Sequence, residues 1–453
     1  MTAKLRAMDL AHLAQLHRDH VNVLAARYAT ALRDNEFDVV VIHSGSLRKR
    51  SEFDDQYWPL RTVPHFQHWA PLAQPDCAII VEAGRPPRLA WLKAFDFWEQ
   101  PHAPETDHFV GSFDVVETGR VEDVKDLLAG GKRTAFVGED ASRATLWGVE
   151  RVNPESLVKA LDALRTTKTP YEVLCLEEAN RRAASGHNAV LDVFRAGNAS
   201  ELDLHLLYLR ATAQDDPETP YKNIVALNAH AATLHHVTYA KHPSGAAAQS
   251  LLVDAGATYQ GYCSDVTRTW VKGTGATASA FASLVAGVEA MQQRLCARIE
   301  IGAPYEALHD ESHRQVAAIL RDVGIASLSE SELVERGVTR AFYPHGLGHS
   351  LGLQCHDVGC ALMTPRADNP FLRNTSRIGV GQVFTIEPGV YFIEPLLAPL
   401  RGRDDVARRI DWKLVSELAA LGGVRIEDDV VVTGGATTAR NLTRAFLAAG
   451  GGR

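Results

Sequence analysis

SLLVDAGATYQGYCSDVTRTW (Ser250–Trp270) contains two apolar, β-rich runs, each with one aspartate at its edge. Asp254 closes the first run, Ser250–Asp254, and Asp265 opens the second, Asp265–Trp270. Their odd separation would put them on opposite faces of one unbroken strand, because side chains alternate with period two. Gly256 and Gly261 interrupt the run, so two strands joined by a turn are expected, with the aspartates facing each other across a hairpin. Taken alone, Asp254 before Ala-Gly also reads as an ordinary turn-forming aspartate.

Three further motifs toward the C-terminus give these aspartates company. HGLGHSLGLQCHD (345–357) holds His345, His349 and His356. The i, i+4 spacing of the first two resembles a zinc-binding helix, but Gly346, Gly348 and Gly352 disfavour helix and the glutamate of HExxH is missing. Close approach of the backbone to a ligand explains the glycines better. Glu387 ends the strand-like run Val383–Glu387, where Pro388-Gly389 stops it, and a charge at the end of an apolar strand is costly unless paired or ligated. Glu427 lies in the strand-like run Val424–Val432, two residues after Arg425. The two share a strand face, so the guanidinium is expected to brace the carboxylate, while Asp428 points the other way. Asp254, Asp265, Glu387 and Glu427 carry formal charge −4, which two divalent cations would neutralise. Oxygen-rich ligands of this kind suit hard divalent cations that polarise a carbonyl and activate water.

The rest of the chain bounds the setting. Its 453 residues allow two or three domains, and 46% hydrophobic with 23% charged residues is ordinary for a soluble globular protein. A net charge of −8 offers no global basic field for nucleic acid or anionic membrane. No apolar run approaches the ~18 residues that span a bilayer. No secretory signal is read at the start, and six scattered cysteines without a CxxC pair suit reduced thiols in the cytoplasm. Helical spacing runs from about Met8 to Arg33, followed by strand-like runs at Phe37–His43, Cys77–Val81, Arg88–Leu92 and Thr134–Val137, which makes the first domain α/β. Between them, SLRKRSEFDDQYWPLR (46–61) reads as a solvated loop or, with Tyr57 and Trp58 at its tip, as an interface loop. The polar, proline-ended RTTKTP (165–170) sets the boundary between domains at 1–165 and 171–453. Beyond it come a helix over Tyr171–Ala196 and a capping box from Ser200 to Asp203. The C-terminal AGGGR (449–453) is expected to fray.

Taken together, DAG, SDVTRT, HGLGH, IEPG and RIED, in that order, resemble the M24 "pita-bread" metallopeptidases. Within them NIVALNAHAATLHH (223–236), HSLGLQCHDVG (349–359) and PGVYFIEPLLAPL (388–400) look like the bacterial prolidases, or Xaa-Pro dipeptidases, which are relatives of organophosphorus acid anhydrolase. The likeness extends to VIHSG (41–45), FDDQYWPL (53–60) and HFQHWAPL (65–72), hence to nearly the whole chain. It implies a mixed α/β (α+β) protein with a creatinase-like N-terminal domain, a pita-bread C-terminal domain, two Mn²⁺ ions (Co²⁺ or another divalent metal able to substitute) and a homodimer. By motif, Asp254 would bind one metal, His349 and Glu387 the other, and Asp265 and Glu427 both. Glu387, His345, His356 and His235 would serve catalysis. Arg373, in LRNTSR, would hold the substrate's terminal carboxylate, with His235, His356 and Arg425 also facing the substrate. Two departures stand out: His236 replaces a frequent tyrosine, and GVGQ (379–382) replaces a more usual QPGM.

The reaction implied is hydrolysis of the bond before proline in a dipeptide, with organophosphate ester cleavage as a side activity. An enzyme like aminopeptidase P would share all five ligands and accept longer peptides. A non-catalytic pita-bread binding module is the reading from another class, and intact ligands argue against it.

Overall fold

A computed structural model describes residues 9–94, 104, 106–128, 130–243, 248–435 and 438–447. The expected fraying at AGGGR lies outside them. The chain divides into two compact units, Met1–Leu174 and Cys175–Arg453, and the division falls inside the helix Pro170–Ala196.

In the first unit Asp9 caps the helix Leu10–Asp34 by accepting a hydrogen bond from the Ala11 N–H (3.0 Å). Leu13, Val21, Leu24, Tyr28 and Leu32 form its buried stripe. The six-stranded sheet runs in the order Asp114–Thr118, Arg88–Leu92, Ala78–Glu82, Val39–His43, Thr134–Val137, Arg151–Val152. Val39–His43 pairs antiparallel with Ala78–Glu82 and parallel with Thr134–Val137. Its run VVVIH is fully buried because both faces are covered. Val40 and Ile42 pack with the helix residues Leu24 and Tyr28, whereas Val39 and Val41 join Phe136, Trp147 and Val149 on the other face. The segment 46–61 folds back on itself through an antiparallel bridge between Lys49 and Tyr57 and is largely exposed, with Phe53, Tyr57 and Trp58 in solvent and the Arg50 guanidinium 5.1 Å from the Trp58 ring centre.

In the second unit the capping box forms as expected, with Ser200 and Asp203 bonding each other's backbone at the start of the helix Glu201–Thr212. Two three-stranded antiparallel sheets follow. One is Thr267–Val271, Ser250–Asp254 and Ile224–Leu227; the other is Val383–Ile386, Asp428–Val432 and Ala439–Asn441. An antiparallel bridge between Thr267 and Glu427 joins them. Helices Ala276–Ala297 and Tyr305–Asp322 cover the second sheet, burying Phe281, Leu284, Val288 and Val316 against Phe384, Ile386 and Val430.

Two expectations about strands need correction. The turn between the aspartates is itself a small hairpin, Thr258–Tyr259 against Tyr262–Cys263, and the second strand starts at Thr267, not Asp265. Asp254 therefore pairs with Thr267, leaving Asp265 free of the ladder just beyond it. The run 424–432 is also two strands, Val424–Arg425 and Asp428–Val432. The strand it follows is interrupted at Glu387-Pro388, where proline has no N–H to continue the ladder, so Ile426 and Glu427 leave the regular pairing.

Candidate active site

Both sheets deliver their strand ends to one place in the second unit. Asp254 is the last residue of its strand, and the Tyr221 hydroxyl lies 2.7 Å from its Oδ1 and 2.5 Å from Oδ1 of Asp265. The two aspartates thus face each other with one phenol between them. From the second sheet, Glu387 follows the strand Val383–Ile386, and Glu427 accepts a hydrogen bond from the Thr267 hydroxyl at 2.6 Å. His349 Nε2 sits 3.3 Å from Asp265 Oδ2 and 3.6 Å from Glu387 Oε1. Its Nδ1 lies 3.1 Å from the Ser350 carbonyl, which can only accept, so Nδ1 carries a proton and Nε2 faces the carboxylates. All five residues named from sequence converge here.

The segment carrying His349 is not helical, and its Gly346 and Gly348 are required by close protein backbone. A Cβ on Gly348 would stand 2.2 Å from the Thr385 carbonyl oxygen, and one on Gly346 would stand 2.8 Å from that of Phe371. Close packing at Gly348 lets the Thr385 N–H donate to the His349 carbonyl (3.0 Å), which seats the histidine beside the second sheet.

The electrostatics are those of excess buried negative charge. Burial, then repulsion from Asp265 and Glu387, pushes Glu427 well above the usual carboxylate range. Asp254 is raised by burial against the pull of Arg425. Glu387 is raised to about 7, with burial the main cause. Burial alone would depress His349, but its hydrogen bond to Asp265 and the charge of Glu387 lift it to about 9. An imidazolium among carboxylates takes the electrostatic place of a cation. Asp265, His349 and Glu427 each offer one donor atom within 4.8 Å of the others. This set of buried oxygens and one imidazole nitrogen fits hard or borderline divalent metals.

Arg425 departs from its expected place. It braces Asp254, not Glu427, with Nη2 2.5 Å from Asp254 Oδ2, Nη1 donating to the Tyr391 hydroxyl (2.9 Å) and Nε to the Thr267 hydroxyl (3.2 Å). His345 has both ring nitrogens engaged, Nδ1 with the Gly346 carbonyl and Nε2 with Tyr391, each at 2.8 Å. His356 is exposed and stands edge-on to His349 with ring centres 4.4 Å apart. Although part of the residue reaches solvent, the atoms packed around its ring nitrogens partly desolvate them, and this, then the nearby charges of His349 and Arg373, lowers its pKa to about 4. His235 and Arg373 are exposed, and the Arg373 guanidinium has no hydrogen bond or ion pair among the described residues.

Sequence reading missed four contributors. Tyr221 and Tyr391 are indistinguishable in sequence from core aromatics. Cys355, read only as a reduced thiol, donates its Sγ–H to Asp265 Oδ2 at 3.0 Å. Asp429 accepts from the Asp265 N–H (3.0 Å) and Asn180 Nδ2 (2.7 Å), holding Asp265 in place from behind. Asp428, expected to point away from Glu427, is fully buried and bound by Arg268 Nη2 (2.6 Å), Arg444 Nε (2.6 Å) and Asn441 Nδ2 (2.7 Å).

Comparison with known proteins agrees with this geometry. Residues 174–434 match the model of metallopeptidase family M24, and residues 15–163 match that of the Xaa-Pro dipeptidase N-terminal domain. Similar relatives include the Xaa-Pro dipeptidase of Pseudoalteromonas translucida, 40% identical over 93% of this chain and 96% of the relative. That of Aeromonas hydrophila is 39% identical over 95% and 98%. Among solved structures, zinc-substituted aminopeptidase P of E. coli superposes with TM-score 0.71 at 20% identity, covering 95% of this chain and 96% of that one. The proline aminopeptidase P II of Yersinia pestis gives TM-score 0.71 at 21% identity, covering 95% and 97%. The chain, with its mixed α/β fold and C-terminal pita-bread domain, belongs to the M24 metallopeptidase family and carries the N-terminal domain of the Xaa-Pro dipeptidases.

Proposed function

We propose that this metallopeptidase hydrolyses Xaa-Pro dipeptides at a centre that holds two divalent cations, Mn²⁺ by preference. One observation carries the reading: Asp254, Asp265, Glu387 and Glu427 converge around His349 with Arg425 as the guanidinium that compensates Asp254, so the site needs added positive charge. Asp254, Asp265, His349, Glu387 and Glu427 would hold the cations. When bound, these would supply Lewis acidity and an acidified water at the scissile carbonyl.

The protein's own groups supply the rest. Glu387, at the strand end beside His345 and His349, holds and returns a proton at its carboxylate. The exposed His235 and His356 steady the oxyanion as it develops. Arg373, unengaged by the described residues, pairs with the free C-terminal carboxylate through two parallel hydrogen bonds. Arg425 faces the substrate only through the groups it positions, Asp254 and Tyr391. The relatives named Xaa-Pro dipeptidase support the dipeptide over a longer peptide. Likeness to aminopeptidase P in fold keeps one alternative, removal of Xaa from longer Xaa-Pro peptides.

The same reading includes a cytoplasmic homodimer built through the 1–165 domain, slow cleavage of organophosphate esters, and no nucleic-acid or membrane partner. Among the described residues no helix is long and apolar enough to cross a membrane. Metal analysis combined with a panel of Xaa-Pro, Xaa-Pro-amide and Xaa-Pro-Yaa substrates tests it. Equal turnover of dipeptides and tripeptides would favour the alternative, and turnover by fully metal-free protein would end the proposal.

A further inference from the structure

A second cluster of metal-ligating groups lies in the same unit, outside the centre described above. Glu201, the first residue of the helix Glu201–Thr212, has a fully buried side chain. Its Oε1 lies 2.6 Å from His230 Nδ1 and its Oε2 lies 2.9 Å from His236 Nε2. The two imidazoles stack, with ring centres 4.6 Å apart and planes 26° from parallel. One donor atom from each of the three residues falls within 4.8 Å of the others.

We infer that Glu201, His230 and His236 form a second metal site that takes one borderline divalent cation of the Zn²⁺ class. Two imidazoles and one carboxylate, with a fourth position open to water, are a ligand set such ions favour. The carboxylate is already fixed by backbone, accepting from the Leu227 N–H at 2.9 Å and the Ala240 N–H at 2.8 Å. Ligands held this way by neighbouring hydrogen bonds lose less freedom on binding. Access is open because the His230 side chain is 53% exposed, while those of His236 and Glu201 are 13% and 0% exposed. Binding exchanges two N–H···O contacts for two N–metal–O contacts. With metal–ligand distances of about 2.0–2.1 Å, a tetrahedral ion separates its ligand atoms by roughly 3.3 Å, within reach of small shifts of two imidazole nitrogens and one Glu201 oxygen that already lie within 4.8 Å of one another. Each neutral imidazole must shift its proton to the ring nitrogen facing away from Glu201, which frees the nitrogen now bonded to the carboxylate to ligate the ion with no net loss of a proton.

His236 completes the set, because Glu201 and His230 alone offer two ligands. The chain between His230 and His236 carries His235, so an ion at this site ties down the segment that presents His235. The site is independent of which peptide the enzyme cleaves.

The test uses manganese-loaded enzyme dialysed against micromolar ZnCl₂ and desalted, with both metals counted by mass spectrometry. Wild type should retain one more zinc per chain than His236→Tyr or His230→Gln, with manganese content equal in all three. A second measurement needs no variant. Zinc should shield His230 and His236 of the wild type from acylation by diethyl pyrocarbonate, read by peptide mass spectrometry. Equal zinc in all three proteins, or equal acylation of these two histidines with and without zinc, would overturn the assignment and leave Glu201 as a purely structural anchor.

Discussion

The Arg425 guanidinium lies 2.5 Å from the Asp254 carboxylate, although 171 positions separate the two residues in sequence. Both are buried, and Arg425 also bonds Tyr391 and Thr267, so it ties the strand pair Gly389–Val390 and Val424–Arg425 to the sheet end that carries Asp254. Removing one partner of such a pair strands a charge in the interior. Arg425→Met should therefore cost about 3–5 kcal/mol of stability in the metal-free protein, measured by urea unfolding. Added metal should restore part of that loss, since a cation near Asp254 would replace the missing charge. Unchanged stability would show that Asp254 is protonated and needs no partner.

Chelation offers a direct test of the charge balance. With the cations removed, four crowded carboxylates repel one another, and burial leaves Asp254, Glu387 and Glu427 raised above their usual range. Activity should vanish with EDTA, and the melting temperature should fall by several degrees, both returning with Mn²⁺. A chelated sample that melts at the original temperature would mean the site is stable without cations.

Glu427 and Asp428 are adjacent and should fail in different ways. Glu427→Gln should lose metal and turnover while the fold persists, because Thr267 can still bond the amide oxygen. Asp428→Asn removes charge from a buried group held by Arg268 and Arg444, and should cost about 3 kcal/mol or more in stability. Denaturant unfolding and metal content measured on both variants separate the outcomes. A fully stable Asp428→Asn would show that the ion pairs contribute nothing net.

How much of this was legible in sequence follows from the range of the interactions involved. The candidate ligands could be named because Asp254, Asp265 and Glu387 close or open short apolar runs, a local signal, and because five motifs occur in order. The capping box at Ser200 is equally local. Arg425 was misassigned because alternation was extended through Glu427, and only the partner strand, broken at Pro388, reveals that the run stops. Tyr221, Cys355 and Asp429 reach the site through contacts 44, 90 and 164 residues away, which no local pattern encodes.

Acid should destabilise the first unit through its histidines. His68 is fully buried 3.5 Å from Glu172, and burial, the dominant influence, lowers its pKa to about 4 despite that carboxylate. The unfolded chain binds this proton near pH 6.5, the folded one only near 4. Between those values the unfolded state holds more protons, so stability rises with pH through the window and is lost on acidification. The contribution is about 3 kcal/mol at most. His68→Gln should flatten the dependence of the urea midpoint between pH 6.5 and 4. An unchanged slope would assign the effect to other buried histidines.

Substrate discrimination should rest on Arg373. Its guanidinium is exposed and unengaged by the described residues, so removing it leaves no protein partner stranded, and metal content should be unaffected. A substrate carboxylate paired with it in the complex would be left without its partner. Losing one side of a desolvated charged pair costs about 2–5 kcal/mol, or roughly 30- to several thousand-fold in kcat/KM. Arg373→Ala should show that loss on Xaa-Pro dipeptides and almost none on a phosphotriester, which has no carboxylate to bind. Amidating the dipeptide should reproduce the loss in the wild type, with little further effect in the variant. That non-additivity identifies the pair, because two groups that act on each other can be removed only once. Equal losses on dipeptide and phosphotriester would place Arg373 in support of the metal centre. Additive losses from the mutation and the amide would mean that another group reads the carboxylate.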